Sequence, residues 1–448
     1  MDLHSLVMKL VASALLLTAS LLACVSEPVE PSGVDWVNRI DVAAGGAHQG
    51  PWRGNQSEFH YVDDPTVTVD GEGAVAVAWV DQVGKDVVFQ AFDPEGVRRF
   101  ETPVNVSRSP AVFSWLPKMV TPSDDPDAVY VLWQEIVFSG GTHGGDIFFA
   151  RSTDAGKSFD EPINLSNSLA GDGKGRLTRK YWHNGSLDLA IGPAGTLLAA
   201  WTEYEGRLWL SRSTDGGQSF SEPLHVAGGD EAPARGPSLA VGSDGDLFLA
   251  WTVREDEVAD IHLTRSTDAG LSFDAPWTPV ESDGHPDGAK ISVDPEGTVH
   301  LAYVEGSGSL LDRHRIRYTR STDGARSFEQ PREMSSSLPR EIEGGSFPAL
   351  SLDGQGAVFL VWELHVTGSF RPRGLGFTVS RDGGRTFAAP SVIPGSAEPE
   401  LGENGSRQGA LMKKLAVDAT GRIAVVNSTF LQDEASHVWL YRGELVGR

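Results

Sequence analysis

The chain has 448 residues and a formal net charge of −24, with 51 glycines, 26 prolines and one cysteine. The charge argues against nucleic acid and anionic membrane surfaces as partners, although a local basic funnel still admits an anionic substrate. The single cysteine excludes an intrachain disulfide. Length alone suggests two or three domains, but glycine and proline abundance without a long helical period indicates an all-β chain of short strands and tight turns.

Residues 1–24 read as lying outside the fold. Lys9 gives a weakly basic start, and 11–23 is an apolar, small-residue run too short to span as a membrane helix. Leu21-Leu22-Ala23-Cys24 resembles a bacterial lipobox. The resemblance implies cleavage before Cys24 and acylation of that residue. The following V-S-E-P-V-E-P-S-G at 25–33 is a polar, proline-containing tether. The expected organisation is a signal peptide at 1–23, a lipidated cysteine and tether at 24–33, and one folded domain at 34–448. Such a protein is a monomer in the cell envelope, outside the cytoplasm, touching the membrane through acyl chains only.

The first strand candidate is V-N-R-I-D-V-A at 37–43. Seven units follow, each with an inner run and then a Gly- or Asp-led apolar run. The inner runs are T-V-T-V, K-M-V-T, L-D-L-A-I, S-L-A-V, K-I-S-V, P-A-L-S-L and K-L-A-V. The second runs end at Trp79, Trp133, Trp201, Trp251, Tyr303, Trp362 and, without an aromatic, Asn427. The shared register of the aromatics argues for packing between units. Five units then close on one phrase: S-T-D-A-G-K-S-F at 152–159, S-T-D-G-G-Q-S-F at 213–220, S-T-D-A-G-L-S-F at 266–273, S-T-D-G-A-R-S-F at 321–328 and S-R-D-G-G-R-T-F at 380–387. A phrase at that period marks a repeat architecture. Each copy reads as a hairpin turn. Its aspartate accepts hydrogen bonds from its own turn, its glycine takes a positive φ, and its phenylalanine packs beneath. Ala325 replaces the glycine in the fourth copy, where a differently bent turn is expected.

The phrase resembles the Asp-box, or bacterial neuraminidase repeat, of sialidases and other propeller proteins. The resemblance implies a β-propeller, with Asp154, Asp215, Asp268, Asp323 and Asp382 in structural turns on the face away from the active site. Seven units predict seven blades. The last lacks a fourth strand, so the N-terminal strand is expected to complete it and leave no open edge. Six blades plus an appended sheet is the alternative, because sialidases resemble six-bladed rings.

The opposite face gathers the loops that lead into each blade and those joining second to third strands, around a central channel. Those loops are rich in arginine, carboxylate and aromatic residues, a set suited to sugars. Candidate substrate contacts are Arg53, Trp115, Arg179, Arg235, Glu305, Arg373 and Arg407. The sialidase resemblance implies an arginine clamp for a carboxylate, a Tyr–Glu nucleophile pair and an aspartic acid/base. Glu203 with Tyr204 or Tyr181 fits the pair, and Asp287 or Asp64 the acid. The nearest match to the family's R-I-P motif is Arg235-Gly236-Pro237, which enters the fourth unit rather than the first. No histidine spacing of metal-ligand type and no phosphate-cradling loop is present, so neither metal nor cofactor is expected. The leading expectation is a lipid-anchored propeller that binds a glycan and hydrolyses a glycosidic bond. The alternative is a non-catalytic propeller scaffold for a protein or envelope component.

Overall fold

The computed structural model describes residues 33–50, 58–109, 113–139, 142–166, 186–203, 206–229, 231–254, 259–282, 284–306, 314–369, 371–405 and 412–447. The proposed signal segment, Cys24 and the tether to residue 32 lie outside them. Seven antiparallel sheets follow in chain order. Their innermost strands are Val62–Val69, Phe113–Val120, Leu187–Ile191, Ala234–Val241, His285–Val293, Ile342–Leu352 and Leu415–Val417. Each innermost strand packs beside the next, and the seventh packs beside the first, so the sheets form a seven-bladed ring. Blade 4 has three strands; a single pair, Leu263 with Trp277, stands in for its fourth.

The N-terminal segment closes the ring. Ile40–Gly45 pairs with Ala435–Leu445 as the outer strand of blade 7, and Val34–Trp36 extends the same edge. The sequence reading placed one strand at 37–43; the structure has two short ones, because the chain steps away between Trp36 and Ile40. Arg39, in that step, pairs with Glu398 at 2.6 Å and lies over the Trp439 ring at 4.9 Å.

The core is divided into seven apolar clusters, one in each seam between neighbouring blades. Trp133, Trp201, Trp251, Tyr303 and Trp362 are at most 1% exposed, and each packs into the seam with the preceding blade. In blade 7 the position belongs to Asn427, whose side-chain amide donates to Asn404 at 2.8 Å. Directly across from it, Trp439 fills the seam with blade 6.

The repeated phrase fastens the seams from the outside. In the second copy, Ser213 Oγ donates to Asp215 at 2.7 Å and accepts from the Gly217 amide at 2.9 Å. The Asp215 carboxylate also accepts from the Ser219 amide and hydroxyl. The Ser219 hydroxyl and then Ser213 hold Asp215 well below the usual carboxylate range. The phenylalanine reaches back: Phe159 meets Phe89, Phe220 meets Phe149, and Phe387 meets Tyr318, all edge-on. The preceding arginine reaches forward: Arg151, Arg212 and Arg320 donate to carbonyls of the next copy, at Gly216, Ala269 and Gly383.

The fourth turn is not bent differently. Gly324 and Ala325 take φ of 71° and 64°, as the paired residues of the other copies do, and the Ala325 amide donates to Ser321 Oγ at 3.0 Å. A side chain at Gly156, Gly217 or Gly384 would strike the aromatic residue of the preceding blade. Blade 4 carries Leu263 at that register position, and Ala325 packs in the same cluster.

Replacing Ser213 with Ala removes a buried acceptor for Gly217 and a donor to Asp215. It should destabilise the fold by about 1–3 kcal/mol, read as a lower urea midpoint with an unchanged slope. Deleting residues 34–45 should remove the cooperative transition altogether; a truncated chain that melts like the full one sinks the closure account.

Candidate functional site

In five of the blades the entering strand does not run straight. Register shifts interrupt it at Asp63/Thr66, Trp115/Lys118, Arg235/Ser238, Asp287/Lys290 and Ser346/Ala349. At each shift one residue is left-handed: Asp64, Leu116, Gly236, Gly288 and Phe347, with φ between 48° and 63°. Proline follows in four of the five, at 65, 117, 237 and 348, where it interrupts no ladder bond because the bulge has already done so. Non-glycine residues in this conformation are strained, and such strain concentrates at functional sites. The bulges turn the upper ends of the inner strands into a rim around the channel, on the face opposite the repeated phrase.

The structure joins expected site residues in two pairs, Arg235 with Asp287 and Trp115 with Asp64. Arg235 pairs with Asp287 at 2.7 Å across the seam between blades 4 and 5, at equivalent bulge positions. Thr252 Oγ1 also donates to Asp287 at 2.9 Å, and Arg235 Nε donates to the Arg254 carbonyl. Glu305 instead turns to its own blade, where Arg317 holds it at 2.6 Å and the Ser282 hydroxyl donates to it. Glu203 sits in the tight turn leaving the second strand of blade 3, its amide donating to the Arg207 carbonyl at 2.9 Å. Arg373 borders the loop of blade 6; its backbone amide donates to Leu364, and its Nε has no partner among the described residues. Trp115 lies half-buried on the rim, its indole N–H donating to the carboxylate of Asp64. Phe59 and Tyr61 pack with each other and cluster with Trp115. Arg53, Arg179, Arg407, Tyr181 and Tyr204 lie outside the described residues.

Beside this aromatic group is a buried charged cluster. Asp63 accepts from Ser428 at 2.7 Å, and burial pushes its carboxyl up. Lys414 and Glu363, each 1% exposed or less, form an ion pair. The Coulombic field of Lys414 acts on Asp63 as well.

Below the rim, the channel holds a cavity of about 380 Å³ bounded by all seven innermost strands. Its charged lining residues are Lys118, Lys290 and Lys413, with Asp188. Lys118 is 3% exposed. Burial, then the nearby ammonium of Lys290, pushes its amine down to about 7. Burial also lowers Lys290 and Lys413. The sequence reading proposed none of the three as a ligand contact. Their signal was a lysine opening otherwise apolar inner runs, K-M-V-T and K-I-S-V, and one immediately before K-L-A-V. Among the described residues, no group of three or more histidine, cysteine or acidic side chains is arranged to hold a metal ion.

No protein-family model matches this chain, and no curated protein matches it by sequence. Solved structures do match in fold. A protein of unknown function from Dyadobacter fermentans is 16% identical with a TM-score of 0.50, covering 92% of this chain and 100% of its own. The GH93 α-L-arabinofuranosidase of Fusarium graminearum, solved with arabinobiose, is 14% identical with a TM-score of 0.51, covering 75% and 94%. The polysaccharide lyase Uly1 is 9% identical with a TM-score of 0.54, covering 92% and 99%. At these identities the likeness is one of fold.

A lysine depressed from 10.5 to about 7 binds fewer protons in the folded chain than in the unfolded one across that window. Stability should therefore rise with pH between pH 7 and pH 10. Lys118→Met should flatten that rise by at least about 1 kcal/mol, measured as urea midpoints at the two ends of the range.

Proposed function

We propose that the protein binds a glycan on the upper rim of the channel, beside Trp115. The observation that carries this reading is the aromatic group of Trp115, Tyr61 and Phe59 placed against the carboxylate of Asp64. A half-buried tryptophan keeps part of its ring in reach of solvent, and a pyranose C–H surface stacks on an aromatic face. Charged and polar residues of the same rim, among them Arg235, Asp287, Arg373 and Glu203, supply hydroxyl partners around it. The fold likeness to a solved arabinofuranosidase and a polysaccharide lyase agrees with a glycan ligand.

Hydrolysis is the second reading, favoured by the contrast between two carboxyls of the rim. Burial pushes the Asp63 carboxyl up, while Glu363 lies in an ion pair with Lys414. Environments that separate two carboxyls in this way suit an acid and a base around one glycosidic bond. The scaffold reading keeps the same rim without turnover. The N-terminal segment adds a lipid anchor at Cys24, which places the head outside the cytoplasm.

A glycan array should return sugar ligands for the full folded domain, and Trp115→Ala should weaken them about ten-fold while the variant still unfolds cooperatively. An array that returns nothing, or a variant that binds as the parent does, overturns the rim site. Turnover of an array hit, lost in Asp63→Asn with binding retained, separates hydrolase from scaffold. Incorporation of labelled palmitate that Cys24→Ser abolishes is the expected result for the anchor.

A further inference from the structure

The chain has nine lysines, and three of them line one internal cavity. Lysine is among the residues least often buried, so this placement runs against its usual preference. Among the described lining residues, Asp188 is the one carboxylate. Each of Lys118, Lys290 and Lys413 interacts electrostatically with Asp188. One oxygen of Asp188 is already engaged by the Leu239 amide at 2.8 Å. Lys413 also donates to the Met119 carbonyl at 3.3 Å, which satisfies a donor but adds no charge. Among the described lining residues, three lysines thus stand around one carboxylate inside a protein whose overall charge is −24.

We propose that the channel cavity is a binding site for a small oxyanion, a carboxylate or phosphate group held between Lys118, Lys290 and Lys413. Four observations converge on it. The volume of about 380 Å³ is of ligand-site size rather than that of one or two waters. Hydroxyls of Ser238, Ser292 and Ser351, and one of the mutually bonded Thr68 and Thr121, line the same space and can donate to anion oxygens. The lysines come from blades 2, 5 and 7, so they converge from around the ring. The cavity runs from the level of Lys118, Asp188 and Lys290 down to Val69, Ile191, Val241, Val293, Leu352 and Val417, the lower ends of the inner strands. It therefore extends toward the face opposite the Trp115 rim and does not depend on the glycan reading.

Binding is coupled to protons. Lys118 faces Lys290, Lys413, Asp188 and Asp64; Lys290 faces Asp188 and Asp287; Lys413 faces Asp188. Lys414, nearby, is paired with Glu363. An anion binds the protonated amines. Affinity is thus fullest at and below pH 6 and falls as pH rises through 7, about ten-fold for each unit beyond the amine's pKa.

The test is a melting-temperature and calorimetric titration of the intact folded chain with inorganic phosphate, acetate and glucuronate, at constant ionic strength, at pH 6 and pH 8.5. Stabilisation at pH 6 that weakens at pH 8.5 is expected. Lys290→Met and Lys413→Met should each abolish it, and Asp188→Asn should tighten binding by removing the competing carboxylate. Should either lysine variant fail to fold, Asp188→Asn still decides, since a merely structural Asp188 leaves anion affinity unchanged. Greater potency of glucuronate assigns the site to the acid group of a sugar, and equal potency to a free anion; both uphold the site. No stabilisation at pH 6, or equal stabilisation in both lysine variants, overturns it.

Discussion

The pairing of Ile40–Gly45 with Ala435–Leu445 is the interaction on which the ring depends. Every blade buries apolar residues on both faces, and each face is covered only by the adjacent blade. A ring of this kind has no stable end. Val42, 1% exposed, carries the N-terminal strand into the cluster joining blades 7 and 1, where it meets Val438, Val426 and Val77. The first and last seams are therefore closed by the same means as the others, with main-chain hydrogen bonds drawn from opposite ends of the sequence. Ser436 reinforces this point, accepting from the Val62 amide and donating to the Gly46 carbonyl.

The repeated turn acts on the same seams. Its aspartate is satisfied wholly within the turn, which leaves the flanking arginine and phenylalanine to work outward in opposite directions. Where a blade lacks a full copy, arginine still supplies the link. Arg442 of blade 7 donates to the carbonyls of Pro94 and Glu95, in the turn that follows the third strand of blade 1. Arg422 reaches Glu72 of the same blade. The phrase is thus a standardised form of a contact that the ring also makes by other routes.

Much of this was legible in the sequence because it repeats. The period, the aromatic ending each second strand and the unfinished last unit were enough for seven blades closed by the N-terminus. The rim was less legible. Arg235, Asp287 and Trp115 were found by loop position, but their partners were not, because a pair such as Arg235 with Asp287 links different blades. The prolines at 65, 117, 237 and 348 lay inside apolar runs and carried the bulge signal, which goes unseen when the runs are read as plain strands. The channel lysines were harder still. Lysine opening a strand reads as a solvated end, and only the ring geometry turns that end toward an enclosed space. Even the mistaken bend at Ala325 came from treating the turn alone, when the residue beneath it in the preceding blade decides what fits.

The place where the folded chain begins has a further consequence. Gly33 lies at the outer margin of blade 7, its carbonyl accepting from Arg381 in the repeated turn of blade 6 and from the Val446 amide. The folded chain thus begins at the perimeter of the ring, on the turn-bearing side and away from the Trp115 rim.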